Sequence, residues 1–514
     1  MKEKLKIRLQ QKPYFLLLLP VFFISHGYNA FFGFFPFSFV LLNFSACLCL
    51  TGLLYQLSLI LFKQRQKAAI FAFCITLFML SFGALHDSIK QHLLSFFSRY
   101  ALILPVSLLL AVLLYFILRK NKTQLLQTFL FANTLMLLLM CYELIDGAAR
   151  WATYKKGGNL IDNRFQAYKA IKNPVTIPDS IKPDIYLLVF DAMPSTIAMK
   201  KEWSFDNSNL DSSLSKEGFY INSFSKSNYN LTVLSIASML NMDYTPPIDI
   251  YQDETKMYFK ASASILDNSL TRFLLKQEYD IKQYQPVSFN NNDWDNKVFF
   301  SDMLCMNYFY QTLPGRMYRD LKWGFLRIKN KLIPSDIFAK VQKQNLQHQA
   351  DLEKTIQLVK QSCALKKNQP QFVYAHFQLP HDPFIYDSTG KLKPPANTIN
   401  INESDQPSAF LEQVKFADNI ILQLVLHIIR NNKKNSIILV AGDHGYRNVH
   451  GTRSYMVFDN FSSYYFPDSN YLNLYSSISP VNSFRVVLNK YFNTGLPLLK
   501  DSSIFIPYTL PGNE

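Results

Sequence analysis

Apolar residues follow two different patterns along this chain, and the change falls near residue 146. Before it they form nearly unbroken segments, over about 14–34, 39–62, 68–85, 101–118 and 125–145. Each is close to the ~20 residues that cross the hydrocarbon core of a bilayer as a helix. The pattern predicts a five-helix transmembrane domain over residues 1–146. The basic start would also suit a cleaved signal peptide. Four further segments follow the first, however, and no small-x-small site closes it, so an uncleaved helix is expected.

Residues 147–183 read as a juxtamembrane linker. Trp151 and Tyr154 suit a membrane interface. The pair Gly157-Gly158 and then Pro174, Pro178 and Pro183 break any regular element. Over 184–514 the pattern becomes that of a globular domain. Short apolar runs at 184–190, 371–377 and 436–441 predict strands buried on both faces, and a further strand is expected near 280–286. Helices are predicted over 233–240, 264–276, 345–365, 408–431 and 479–492. Alternating strands and helices imply an α/β fold, a sheet with helices on both faces.

Charge adds an orientation. The net charge of +16 divides into +9 over residues 1–146, from 13 basic and 4 acidic residues, and +7 over the remainder, from 40 and 33. The basic residues of the first part cluster at the start (Lys2, Lys4, Lys6, Arg8, Lys12), after the second segment (Lys63, Arg65, Lys67) and after the fourth (Arg119, Lys120, Lys122). Basic loops stay on the cytoplasmic side. The amino end is therefore expected in the cytoplasm, and residues 147–514 on the periplasmic or extracellular face of a multi-pass cell membrane protein. No basic stripe with interleaved aromatics suggests a nucleic-acid partner. His26, Asn29, His86, Asp87, Glu143 and Asp146 lie near the outer ends of the spans, where ionisable groups are functional suspects.

Of six cysteines, Cys47, Cys49, Cys74 and Cys141 fall in apolar segments. Cys305 and Cys363 could pair in an oxidising compartment or remain thiols. Their spacing matches no zinc site.

Candidate chemistry sits at the strand ends. Ser436-Ile437-Ile438-Leu439-Val440-Ala441 runs directly into Gly442-Asp443-His444-Gly445. In parallel sheets ligands bind just past the carboxyl ends of the strands, and adjacent carboxylate and imidazole groups can hold a metal. The ordinary alternative is a turn, with Asp443 as a cap and Gly445 at positive φ. The run at 184–190 likewise ends on Asp191, whose alternative role is to cap a helix opened by Pro194. Thr232 stands at the start of the 233–240 helix. Capping is the common task for a threonine there, but a helix N-terminus also attracts anions, and a hydroxyl touching a divalent metal is an activated nucleophile. After the 371–377 run come His376 and His381, the second flanked by Pro380 and Pro383 in a loop suited to presenting imidazole.

Taken in order, Leu187-Leu188-Val189-Phe190-Asp191, Thr232-Val233-Leu234-Ser235, Pro380-His381-Asp382-Pro383 and Asp443-His444-Gly445 resemble the motifs of the sulfatase-like alkaline phosphatase superfamily. With the apolar segments in front, the chain is similar to the membrane branch that includes lipoteichoic acid synthases and lipid A phosphoethanolamine transferases. The resemblance implies an alkaline-phosphatase-like domain with a mixed, mostly parallel sheet over 184–514. It implies one divalent metal (Zn, Mn, Mg or Ca) on Asp191, Thr232, Asp443 and His444, with Thr232 as nucleophile. His381 would serve as a catalytic and substrate-binding histidine. His450 and Asn228 join it as substrate-binding candidates. Those transferases usually carry Glu where this chain has Asp191. Formylglycine chemistry is not expected: there is no Cys near Thr232, and Ser235-Ile236-Ala237-Ser238-Met239 has Met239 where an Arg is required. The implied activity is transfer of a phosphoethanolamine or phosphoglycerol headgroup from a membrane lipid donor to an envelope glycan or lipid acceptor. Ester hydrolysis with water, or a non-catalytic envelope scaffold, are the alternatives.

Overall fold

The computed structural model describes residues 2–30, 37–92, 95–155, 171, 182–245, 261, 264–265, 268–284, 308–321, 337–364, 369–399, 404–431, 435–447 and 456–506. The membrane part is helical: α1 Lys2–Gln11, α2 Tyr14–Ala30, α3 Phe37–Phe62, α4 Arg65–His92, α5 Tyr100–Lys120 and α6 Leu126–Lys155. Four helices among the described residues, those over 38–62, 65–90, 100–120 and 126–152, are long and apolar enough to cross a membrane. The first apolar segment is a shorter helix in the same bundle. Leu108, Leu109 and Leu110 are 60–68% exposed, a placement that suits a surface facing lipid. Inside the bundle Phe15 packs edge-on against Phe73 and Phe129, with ring centroids 5.1 Å apart in each case. Buried Asn133 accepts from Phe15 N and donates to the carbonyls of Leu9 and Lys12. It thereby satisfies the backbone groups left open where α1 gives way to α2.

The expected boundary near 146 falls inside α6, which continues to Lys155. Residues 156–170 and 172–181 of the expected linker lie outside the described residues.

The sheet has six strands: β1 Asp184–Phe190, β2 Tyr220–Ile221, β3 Asp280–Tyr284, β4 Gln371–Phe377, β5 Ser436–Gly442 and β6 Ser462–Tyr465, in the order β2-β6-β5-β1-β4-β3. β3, β4, β1 and β5 are mutually parallel, while β6 runs antiparallel to β5 and β2 antiparallel to β6. The described globular helices are α7 Thr196–Trp203, α8 Ser208–Lys216, α9 Thr232–Asn241, α10 Ser269–Lys276, α11 Ile337–Ala364, α12 Ala396–Ile399, α13 Gln406–Asn431 and α14 Pro480–Phe492. Along β1, Ile185, Leu187 and Val189 face a core built with α9, α10 and α14. Tyr186, Leu188 and Phe190 face the other, with α8, α11 and α13. Burial on both faces is why β1, β4 and β5 read as continuous apolar runs.

Register positions the chemistry. Phe190 of β1 lies opposite both Phe377 of β4 and Gly442 of β5. The three central strands therefore end level, and Asp191 and Asp443 both stand one residue beyond that line.

Candidate metal centre and active site

Two glycines let the chain close around this strand end. A Cβ on Gly442 would lie 2.2 Å from Met193 O, and one on Gly445 2.0 Å from Met456 O. Gly445 does not take the positive φ of the ordinary turn alternative; its need is for close approach. The left-handed residue here is Ala192, at φ 63°, a conformation that costs a non-glycine residue roughly 1–2 kcal/mol. It directs Ala192 N–H to Asp443 Oδ1, 2.9 Å away.

Asp443 and His444 are fully buried. Asp443 Oδ1 accepts from Ala192 N and from His444 N. Its other oxygen, Oδ2, is buried with no hydrogen-bond partner among the described residues, and so is Asp191 Oδ1. His444 Nδ1–H donates to Gly445 O at 2.6 Å, which leaves the Nε2 lone pair bare. Nε2 lies 3.4 Å from Asp191 Oδ1, 3.6 Å from Asp443 Oδ2 and 3.4 Å from Thr232 Oγ1. Burial, with Arg447 adding to it, pushes the His444 pKa down to about 4, so the ring is neutral at pH 7. Burial would raise the Asp191 carboxyl, but His381, His376 and His444 together hold it well below the usual carboxylate range. Two carboxylate oxygens and an imidazole lone pair, all within 4.8 Å of one another, thus converge in a buried space. Acceptors facing acceptors are costly when buried unless a cation lies between them. The donor set of two carboxylates, one imidazole and a hydroxyl fits a divalent metal of zinc or manganese type.

Asp191 does not cap the next helix. That task falls to Ser195, whose side chain accepts from Ala198 N. Pro194 precedes α7 and forms a bridge with Asn460. Thr232 is the first residue of α9, and its N-cap is Leu231, which has no side-chain acceptor. The Thr232 hydroxyl is directed toward the cluster, at a helix N-terminus whose exposed N–H groups favour negative charge.

His381 reaches the cluster on the loop after β4. Its backbone N donates to Asp191 O at 3.1 Å, and its ring centroid lies 6.4 Å from that of His444. Nδ1–H donates to Asp382 O, and Nε2 accepts from Arg447. His376 stands behind Asp191, with Nε2 3.7 Å from Asp191 Oδ2 and Nδ1 bonded to the Tyr374 hydroxyl at 2.9 Å.

Asn228 lies in the chain just before Thr232. It is fully buried, and its amide is used within the scaffold. Nδ2 bonds the Tyr244 hydroxyl, Ser479 Oγ and Ser502 O, while Oδ1 accepts from Val481 N. With these bonds it ties the start of α14 and the C-terminal segment to the chain before Thr232. His450 lies outside the described residues, as does Cys305, and with it the possible pairing to Cys363. Arg447 was not anticipated; its only signal was a cation three residues after His444.

A family model described as Sulfatase matches residues 191–481, more than half of the 514 residues. No curated protein sequence matches. Among solved structures the chain is similar to the C-terminal periplasmic domain of EcEptC from Escherichia coli in complex with Zn, at 9% identity over 64% of this chain and 90% of that one, with a TM-score of 0.37. It is also similar to the C-terminal periplasmic domain of the phosphoethanolamine transferase EptC from Campylobacter jejuni, at 12% identity over 61% and 91%, TM-score 0.34. Ps i-CgsB matches at 12% identity over 62% and 73%, TM-score 0.36.

Proposed function

The chain belongs to the sulfatase family, and on that premise we propose that it is a membrane-anchored phosphotransferase. It would move a phosphoethanolamine or phosphoglycerol headgroup from a lipid donor to an envelope lipid or glycan. The observation that carries this reading is the Thr232 hydroxyl at the N-terminus of α9, 3.4 Å from His444 Nε2 and beside two unpartnered carboxylate oxygens. A divalent cation held by Asp191, Asp443, His444 and Thr232 would lower the pKa of that hydroxyl and offset charge on the phosphoryl oxygens. Thr232 Oγ attacks phosphorus, the bond from phosphorus to the diacylglycerol oxygen breaks, and a phospho-Thr232 remains. The backbone N–H groups at the start of α9 face the developing charge. His381 and Arg447 now touch each other. An anionic ester between them would accept from both, and protonated His381 would give its proton to the leaving oxygen. An acceptor hydroxyl then gives its proton to the now neutral His381, attacks phosphorus and releases Thr232 Oγ.

The four long apolar helices support a substrate that is itself in the membrane. We read α2 as a fifth span, with the amino end cytoplasmic and the catalytic domain on the periplasmic or extracellular side, from the placement of the basic loops.

The family match favours a second reading, in which water replaces the acceptor and the enzyme is an ester hydrolase. The missing formylglycine motif weighs against sulfuric esters. Vesicles carrying headgroup-labelled phospholipid, incubated with and without candidate acceptors, separate the two. Label should move to the acceptor. Release of free headgroup at the same rate with or without acceptor would favour hydrolysis.

A further inference from the structure

Residues 308–321 belong by sequence to the globular part, between β3 and α11, yet they pack on the membrane bundle. Tyr308 is 6% exposed and forms part of the bundle's own core, its ring 5.1 Å from that of Phe23 and 5.8 Å from that of Phe39. Its hydroxyl donates to Phe23 O at 3.2 Å. Gly83 N, inside α4, donates to Gln311 O at 2.8 Å. Arg316 is 1% exposed and makes a two-pronged pair with Asp87, Nη1 to Oδ1 at 2.8 Å and Nη2 to Oδ2 at 2.7 Å. The Tyr100 hydroxyl at the start of α5 donates to Asp320 Oδ2 at 2.6 Å.

The bundle is shaped to receive this segment. Glycine weakens a helix interior, so a glycine there calls for a reason. A Cβ on Gly27 would lie 2.1 Å from the Tyr308 ring, and one on Gly83 would lie 2.7 Å from Gln311 Cα and 2.9 Å from Arg316 Nη2. Gly52 on α3, by contrast, has nothing within 4 Å. Phe23, Gly27, Gly83 and Asp87 all lie toward the carboxyl ends of α2 and α4, and Tyr100 begins α5. The seat is therefore at the end of the bundle from which α6 leads on to the globular domain.

We propose that residues 308–321 are a clamp, seated on Gly27 and Gly83 and locked by the Arg316–Asp87 pair, that ties the catalytic domain to the membrane bundle at a second place in the chain. Arg316 and Asp87 are positioning residues: they act by limiting how far the Thr232 site can move from the lipid surface, not by touching substrate. The connection through α6 alone would allow a wider range. The consequence for turnover rests on the membrane-substrate reading above; the clamp itself does not.

The test uses the full chain in lipid nanodiscs and two variants that attack different parts of the seat. Gly83→Ala inserts a wedge, and Arg316→Met removes the charge while keeping bulk. Backbone hydrogen exchange is read over 308–321 and, as a control, over β1, β4 and β5. Exchange across 308–321 should rise at least tenfold in both variants while the strands keep their protection. Turnover is read on phosphatidylethanolamine or phosphatidylglycerol in the same bilayer and on water-soluble bis(p-nitrophenyl) phosphate. Bilayer turnover should fall at least tenfold and soluble turnover less than twofold. Restoration of bilayer turnover by the swapped pair Asp87→Arg with Arg316→Asp would support the lock. Unchanged exchange over 308–321 in the wedge variant overturns the clamp, as does an equal fall on both substrates. If wild-type protein turns over neither substrate, the functional reading fails and the exchange data alone decide the clamp.

Discussion

The two oxygens of Asp443 have opposite environments, and the difference gives the site its character. Oδ1 is saturated by Ala192 N and His444 N, while Oδ2 lies 3.6 Å from His444 Nε2 and has no hydrogen-bond partner among the described residues. Asp443→Asn keeps the shape and supplies an N–H to that gap. Metal binding should be lost, while stability in chelator stays equal or rises, because the buried repulsion is relieved. Thermal melting in chelator and in excess Zn²⁺ or Mn²⁺ checks this. The wild type should gain about 3–4 kcal/mol from metal at about 100–1,000 times Kd, and the variant nothing. Asn228 makes the opposite kind of prediction. Asn228→Ala should cost about 3 kcal/mol by stranding buried donors and acceptors, visible as a lower melting temperature, with turnover retained in the folded fraction. Its sequence gave no hint of this: a polar residue four before Thr232 looks the same whether it faces a substrate or the start of α14. Asp191, Thr232, Asp443 and His444 were readable because each stands where a predicted element begins or ends. Arg447 has no such landmark.

Among the elements, those buried on both faces were the readable ones. β1, β4 and β5 occur where their apolar runs predicted them, and α13 and α14 match their expected ranges to within two residues at each end. β6 escaped notice because Ser462-Ser463-Tyr464-Tyr465 carries no apolar run, although all four residues are buried. β2 is only two residues long, too short to show alternation. One buried acid on a long helix carries a pH signature. Burial pushes Asp418 of α13 up to about 7, with Asp211 of α8 adding to the rise. The folded pKa lies above the unfolded value of about 3.9. Stability from this group is complete below about pH 4 and is lost as pH rises through about 7. Asp418→Asn should therefore match the wild type near pH 4 and exceed it by about 1–3 kcal/mol at pH 8. Melting temperatures at the two pH values decide it. A constant difference across that range would contradict the assignment.

At the scale of the whole molecule, a bundle of apolar helices and a family-typical α/β sheet share one chain, and hydropathy distinguishes the two kinds of segment although α6 runs past the expected boundary near 146. The way they meet was not. By sequence Asp87, Glu143 and Asp146 are only ionisable groups near the outer ends of the spans. In the structure Asp87 pairs with Arg316, Glu143 with His26 and Asn29, and Asp146 with Arg150. Asp146 and Arg150 are four residues apart on α6, but the partners of Asp87 and Glu143 lie more than a hundred residues away and leave no local pattern. The proposed orientation has a direct check. Protease added to intact cells should digest the globular domain and spare a tag at the amino end; loss of the tag with a protected domain would reverse the topology.

The central claim is that Thr232 takes up the transferred group. It is tested most directly by peptide mass spectrometry of the full chain after mixing with phospholipid vesicles and no acceptor. The peptide containing Thr232 should gain the mass of a phosphoethanolamine or phosphoglycerol unit, lose it when an acceptor is supplied, and gain nothing in Thr232→Ala. Wild-type turnover by Thr232→Ala, or the added mass on another residue, would contradict it.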